Sequence, residues 1–244
     1  KTTLAVFFAK ILLCANFARK ISPLPCGVCP SCRRFDLADA ANKEKADSEP
    51  AVPAHGDFHL IERAKDKKNI SIEQIRDFIK TLCLSSFLDS YKIGIIKQAE
   101  CLSLEAANAL LKTLEEPRSK VIIILVTKDL AMLPATIASR SKILNFRPVR
   151  SELIYDHLVK VHKASRTAAV NISRLSWGRP ALALKFLQDK EFFRLYEAIF
   201  ELFMKFPEQD IAENFLAIEK FSKDNEVLSS RPGMVIEIWQ SIIR

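Results

Sequence analysis

At 244 residues with 49% hydrophobic content, the chain is long enough for one large domain or two to three smaller ones, each with a real core. No apolar run of about 18 residues occurs, so a membrane-spanning helix is not expected. The apolar opening KTTLAVFFAKILLCANFARK carries Lys10 and no small-residue cleavage site, so it does not read as a signal peptide. The net charge of +8 favours a polyanionic partner such as nucleic acid, although the basic residues are scattered enough to suit an ordinary basic surface equally well. The chain lacks an initiator Met and is expected to begin inside a longer protein, one of the cytoplasm.

In chain order, a helix is predicted from Thr3 to Phe17, followed by a cysteine-rich turn at 26–32. The polar stretch at 38–54, with Pro50 and Pro53, reads as a surface loop. FHLI at 58–61 suits a buried strand. Ser71 and Gln74 form a capping box before a helix whose apolar face is Ile72, Ile75, Phe78, Ile79 and Leu82. IGII at 93–96 is again strand-like. Ser103 caps a helix with Leu104, Ala107, Leu110, Leu111 and Leu114 on one face, closed by Pro117. VIIILV at 121–126 is β-branched and unalternating, as in a sheet covered on both faces. A short helix or turn at 134–141 and a last strand at 143–146 complete this half.

Strand and helix therefore alternate up to about Pro148, which argues for a parallel α/β sheet with helices on both sides. Beyond it, helices are predicted at 152–161, 167–175, 180–187, 192–204, 211–221 and 233–243, with no strand signal among them. Gly178, Pro180 and Pro207 punctuate this all-helical half.

Of six cysteines, three stand at C-x2-C-x2-C spacing in Cys26, Cys29 and Cys32. Two intervening residues let successive sulfurs converge on one ion, and Gly27 and Pro30 supply the tight turns. Zinc takes four ligands in tetrahedral geometry and favours thiolates. Cys14 upstream and His55 or His59 downstream are the candidates for the fourth place. In a chain without a secretion signal this clustering points to metal rather than disulfides. A closed site of this kind is structural and leaves no position for a reactive water.

Lys1-Thr2-Thr3 before an apolar helix matches the end of the phosphate-binding loop G-x-x-x-x-G-K-[ST], which makes Lys1 and Thr2 candidate nucleotide ligands. Alone it is also what an ordinary helix start looks like. Such a loop needs a magnesium-binding acid at the end of the strand IGII. That strand is followed by Lys97-Gln98-Ala99-Glu100, and an ammonium repels a cation. Hydrolysis of ATP by this chain on its own is not expected. Ser139-Arg140-Ser141 follows the helix after VIIILV. An arginine there suits a phosphate on a neighbouring subunit; taken alone, the local sequence reads rather as a helix C-cap.

Together these segments resemble the delta-prime family of bacterial DNA polymerase III clamp-loader subunits, which are AAA+ proteins. The resemblance covers nearly the whole chain and is carried by EAANALLKTLEEP at 105–117, HGDFHLI at 55–61, ISIEQIRDFI at 70–79 and ATIASRS at 135–141. It implies an AAA+ domain over 1–150 with a parallel five-stranded sheet, its first strand lost at the N-terminus, and a zinc-binding insertion at about 14–35. A three-helix lid at 151–189 and a truncated helical collar at 190–244 would follow. It further implies that Cys14 is the fourth ligand beside Cys26, Cys29 and Cys32. Ser139-Arg140-Ser141 stands at the Ser-Arg-Cys motif, with Arg140 as an arginine finger acting in trans. The last cysteine of that motif is a serine here, at a position that does not contact phosphate. Trp177-Gly178-Arg179-Pro180 is similar to a lid segment that carries a sensor arginine in ATPase members. Lys97-Gln98, where the family often keeps two acids, and the long loop at 38–54 depart from the pattern and argue against ATP in the chain's own site.

The function implied is loading of the sliding clamp onto primer-template DNA in a heteropentamer with gamma/tau ATPase subunits and delta. A gamma/tau-type ATPase is the first alternative and should show an acidic pair at 97 and 98. A zinc-bearing nucleic-acid-binding module is the second; Arg33-Arg34-Phe35 is the one hint of the interleaved basic and aromatic residues it needs.

Overall fold

The computed structural model describes residues 1–19, 23–36, 56–64, 67–84, 86, 91–116, 120–224 and 233–243. The polar stretch at 38–54, His55 and Pro117 lie outside the described residues. The chain divides into two units, Lys1–Asn145 and Phe146–Arg244.

The first unit is built on strands β1 (Phe58–Ile61), β2 (Lys92–Lys97) and β3 (Val121–Val126), parallel and in the order β1-β2-β3. Phe58 pairs with Ile93 and Ile93 with Ile122, so the three C-terminal ends share one edge. The period-two alternation of a strand then divides the apolar residues between two cores. Ile93, Ile95, Ile122 and Ile124 face one layer with Ala9, Leu12, Leu13 and Phe35. On the other face, Ile96, Val121, Ile123 and Leu125 meet Ile75, Phe78, Leu82, Ala106 and Leu110.

The first layer is supplied by α1 (Thr2–Leu12), α2 (Ala15–Ala18) and the helical segment α3 (30–36). Where one helix from Thr3 to Phe17 was predicted there are two, because the chain leaves helical geometry at Cys14 (φ −67°, ψ 129°). The second layer holds α4 (Ile72–Cys83) and α5 (Leu104–Glu115). The α4 capping box is complete. Gln74 N–H donates to Ser71 Oγ at 3.4 Å, and Ser71 N–H donates to Gln74 Oε1 at 3.1 Å. Ser103 Oγ likewise accepts from Ala106 N–H at 3.2 Å. Gly94 lets α4 lie directly on β2, since a Cβ there would come within 2.3 Å of Phe78 Cζ. Lys92 is buried with its ammonium donating to Thr81 O at 2.8 Å, in the last turn of α4, where helix carbonyls attract a cation.

The five-stranded expectation is corrected to three strands among the described residues. Residues 143–146 form no strand, and Ile143, Leu144 and Phe146 are exposed. A strand exists through its ladder, and the outer edge of β3 carries no partner among the described residues. For the same reason β3 is half-buried at every position, whereas central β2 is buried up to Lys97. The short α6 (Ala135–Ala138) is pinned by fully buried Ile137.

The second unit contains helices α7 (Ser151–Lys160), α8 (Arg166–Leu175), α9 (Pro180–Gln188), α10 (Lys190–Lys205), α11 (Ile211–Asp224) and α12 (Gly233–Ile243). Their core joins Ile154, Leu158, Ile172, Phe186, Tyr196, Ile199 and Ile238. Phe186 is its hub, with ring centroids 5.1 Å from Phe193 and 4.8 Å from Tyr196. Asp189 closes α9 and caps α10 by accepting from Phe192 N–H at 2.9 Å. Gly178 takes a left-handed φ of +71°, and a Cβ there would meet Pro148 Cβ at 2.5 Å. This brings the 177–180 turn against the start of the unit, where Val149 N–H donates to Gly178 O at 2.9 Å.

Candidate functional site

Three groups of side chains in the first unit carry chemistry: four cysteines, the residues at the C-terminal edge of the sheet, and Arg140.

The helix break after Leu12 places Cys14 as the N-cap of α2 in an extended backbone conformation. The turn at 26–32 then supplies three more sulfurs. Gly27 adopts φ +72°, a conformation that side chains other than glycine take at a cost. Cys29 N–H donates to Cys26 Sγ and Cys32 N–H to Cys29 Sγ, each at 3.4 Å. Cys32 lies on α3 and is fully buried. The sulfurs of Cys14, Cys26, Cys29 and Cys32 all lie within 4.8 Å of one another, so this set can bind a metal ion. His59 is not in it; its Nε2 lies 3.1 Å from Gly56 O.

The thiols are electrostatically unequal. Backbone N–H groups of Cys29 and Val28 bring Cys26 down to about 6, while burial pushes Cys32 up to about 12. A dication would supply the charge that buried thiolates otherwise lack. The cluster is anchored to the sheet through Phe35, whose ring centroid is 5.0 Å from that of Phe58, and α3 is tied to α1 by an ion pair of Asp36 with Lys10.

At the C-terminal edge of the sheet, Lys1 donates from Nζ to Thr127 O at 3.0 Å and Lys128 O at 3.4 Å, just past β3. Thr2 is the first residue of α1, whose N-cap Lys1 makes no side-chain cap. Lys97 ends β2, and its Nζ meets Glu62 Oε2 at 2.8 Å. Gln98 follows in the left-handed region at φ 52°. Glu100 sits in a 3-10 turn, where its Oε2 is buried without a hydrogen-bond partner among the described residues. The last position of β2, where the sequence pattern calls for a magnesium-binding acid, is thus a lysine paired with a carboxylate.

Arg140 follows Ser139, the C-cap of α6. Its Nε donates to Glu115 Oε1 at 2.7 Å, and Nη2 lies 2.6 Å from the same oxygen. Nη1 donates to Thr136 O at 3.1 Å and to Ser139 Oγ at 3.4 Å. The bond to Thr136 O is the helix C-cap that the local sequence suggests. The side chain is nonetheless 38% exposed. Arg179, in the second unit, is the exposed N-cap of α9. Sequence reasoning did not find Glu62 or Glu115. Both are acids with partners 35 and 25 positions away, beyond any local spacing rule.

Comparison with known proteins follows the same outline. A family model described as DNA polymerase III, delta subunit, matches residues 1–150. DNA polymerase III subunit delta-prime of Haemophilus influenzae is 30% identical over 165 residues, covering 68% of this chain and 46% of that protein. The Escherichia coli subunit of the same name is 31% identical over 134 residues, covering 55% of this chain and 40% of that one. The tau subunit of Salmonella typhimurium is 31% identical over 193 residues, covering 75% of this chain and 26% of tau. The chain thus spans less than half the length of these relatives. A gamma subunit-related protein of Thermotoga maritima has 20% identity and a TM-score of 0.44, covering 99% of this chain and 83% of that one. With its first 150 residues matched by that model, the chain belongs to the DNA polymerase III delta-subunit family, and within it resembles the members named delta-prime.

Proposed function

We propose that this chain acts in a bacterial clamp loader as a delta-prime subunit that does not turn over ATP itself and supplies Arg140 to ATP on a neighbouring subunit. The observation that carries this reading is the Lys97–Glu62 pair at the end of β2. An ammonium there excludes a magnesium ion by charge, so Lys1 and Thr2 stand at a phosphate-binding position without the acid that hydrolysis needs. Arg140, exposed beyond α6, has the rigid fork of N–H donors that suits charge developing on a transferred phosphoryl group.

The proposed assembly is a heteropentamer with gamma/tau-type ATPase subunits and delta. In it residues 1–150 are an AAA+ domain. Residues 151–189 serve as lid and 190–244 as part of the helical collar. ATP on the neighbour favours the state that holds the sliding clamp open, and hydrolysis, with Arg140 at the γ-phosphate, releases the clamp on primer-template DNA. Such a subunit works in the bacterial cytoplasm at the replisome. Among the described residues no helix is long and apolar enough to cross a membrane.

The metal we assign to the four cysteines is a structural zinc ion. Tetrahedral Zn–S bonds of about 2.3 Å set sulfur–sulfur edges near 3.8 Å, on the order of 1 Å inside the present spread, and the four sulfurs already lie within 4.8 Å of one another. Bound there, zinc would tie α1, α2 and α3 into one rigid layer over the sheet.

The test is a loader reconstituted from the full-length protein and its ATPase partners, with the ATP sites that Arg140 does not face disabled. Arg140→Ala is expected to lower DNA-stimulated turnover at the remaining site by about 10³-fold or more, the scale of an arginine finger, while the pentamer still assembles. Unchanged ATPase sinks the role of Arg140. The matches to tau subunits keep a second reading in view, an ATPase subunit in its own right. Magnesium-dependent turnover by the isolated full-length protein, lost on Lys1→Ala, would establish that one instead.

A further inference from the structure

Arg140 is held by more than its own helix. Glu115 is the last residue of α5, a helix whose Ala106, Ala107 and Leu110 are buried in the core. Its Oε1 accepts from Nε at 2.7 Å and lies 2.6 Å from Nη2. Thr136 O, in α6, takes Nη1 from the other side at 3.1 Å, and fully buried Ile137 fixes that helix. The guanidinium is thus clamped between two elements that are each locked to the core. A free arginine would sample many rotamers; this one is confined to one plane and one direction.

The ion pair is exposed, 38% on the arginine side and 48% on the glutamate side. A pair in that setting contributes little to folding stability, so stability does not account for an acid at this place. Nor does the clamp exhaust the arginine. Nη2 carries two N–H groups, and a single carboxylate oxygen takes one. A second donor remains to meet an incoming anion.

We propose that Glu115 is a positioning residue for Arg140. It orients the guanidinium before assembly, so that the arginine meets the neighbour's γ-phosphate without a search through rotamers. This rests on the reading of Arg140 as a finger in trans. Glu115 touches no reacting atom; it acts through the arginine by fixing its base. Misplacement of a group in the transition state by about 1 Å costs on the order of 10²-fold in rate, less than losing the group altogether.

The experiment uses the reconstituted loader with the full-length protein. With the other ATP sites disabled, Glu115→Ala is expected to lower the kcat of DNA-stimulated turnover at the site Arg140 faces on the order of 10²-fold, with KM for ATP and pentamer assembly unchanged. Glu115→Gln keeps an acceptor for the guanidinium and is expected to recover most of that loss. In an Arg140→Ala background, Glu115→Ala should cost nothing more, because there is no arginine left to orient. A further loss in that background, or failed assembly of Glu115→Ala, would assign Glu115 a merely structural role. A higher rate for Glu115→Ala would make it a restraint that competes with the phosphate, and would also overturn the proposal. If Arg140→Ala itself leaves the rate unchanged, the finger reading has failed. If Arg140→Ala is inactive and Glu115→Ala is not impaired, only the positioning role has failed.

Discussion

Gly94→Ala probes whether the contact between β2 and α4 is as close as described. The methyl group would sit 2.3 Å from Phe78 Cζ, 2.8 Å from Cε2 and 3.0 Å from Leu82 Cδ1. Both neighbours are buried, so neither can swing into solvent. Ordinary carbon–carbon contact needs about 3.5–4.0 Å, so α4 or β2 must shift by on the order of 1 Å. Overpacking of this kind costs about 1–3 kcal/mol. Replacing glycine within a strand returns about 0.5–1 kcal/mol of backbone entropy, leaving a net loss of about 0.5–2 kcal/mol. For a chain of this size each kcal/mol lowers Tm by about 2–4 °C, so a drop of about 1–8 °C is expected in far-UV circular dichroism. The urea midpoint should fall with an unchanged m-value. Phe78→Leu removes the clashing ring edge, so its cost should be smaller in the Gly94→Ala background than alone. A variant as stable as the parent, or costs that simply add, would refute the packing argument. The contact matters to the proposed site because β2 carries Lys97 at its end.

Two other outcomes test the site from different sides. In metal-free protein, the Cys26 thiol lies below its ordinary value, so its thiolate persists as pH falls and is lost near pH 6. Cys32, held up by burial, stays protonated to about 12. Thiolate ultraviolet absorbance should therefore show a component titrating near pH 6 that Cys26→Ser abolishes; its persistence in that variant would reject the assignment. Lys97→Ala breaks an ion pair in which Glu62 remains 54% exposed. The change in urea unfolding free energy is expected to stay under about 1 kcal/mol, and a larger loss would mean the pair is far better shielded than its exposure indicates.

What could be read from the sequence follows the range of the forces involved. The helix starts at Ser71 and Ser103 are set by hydrogen bonds that span three residues, and both form where the pattern places them. The strands at β2 and β3 declare themselves by apolar runs, yet their burial differs because one is central and the other an edge. That difference belongs to the ladder, not to either run. The residues at 143–146 make the same point more sharply. Ile143, Leu144 and Phe146 are apolar enough for a strand, but backbone groups become a strand only against a partner, and none pairs with them among the described residues. The cysteines were legible in part. C-x2-C-x2-C announces three sulfurs through local spacing, whereas Cys14 joins them because α1 ends at Leu12 and the chain turns at that residue. Glu62 and Glu115 were not legible at all. Each is one acid among many until the parallel sheet and the α5–α6 packing bring it to Lys97 or Arg140. The basic residues that local motifs single out are thus the half of the site that sequence exposes. The acids that restrain and aim them are contributed by the fold.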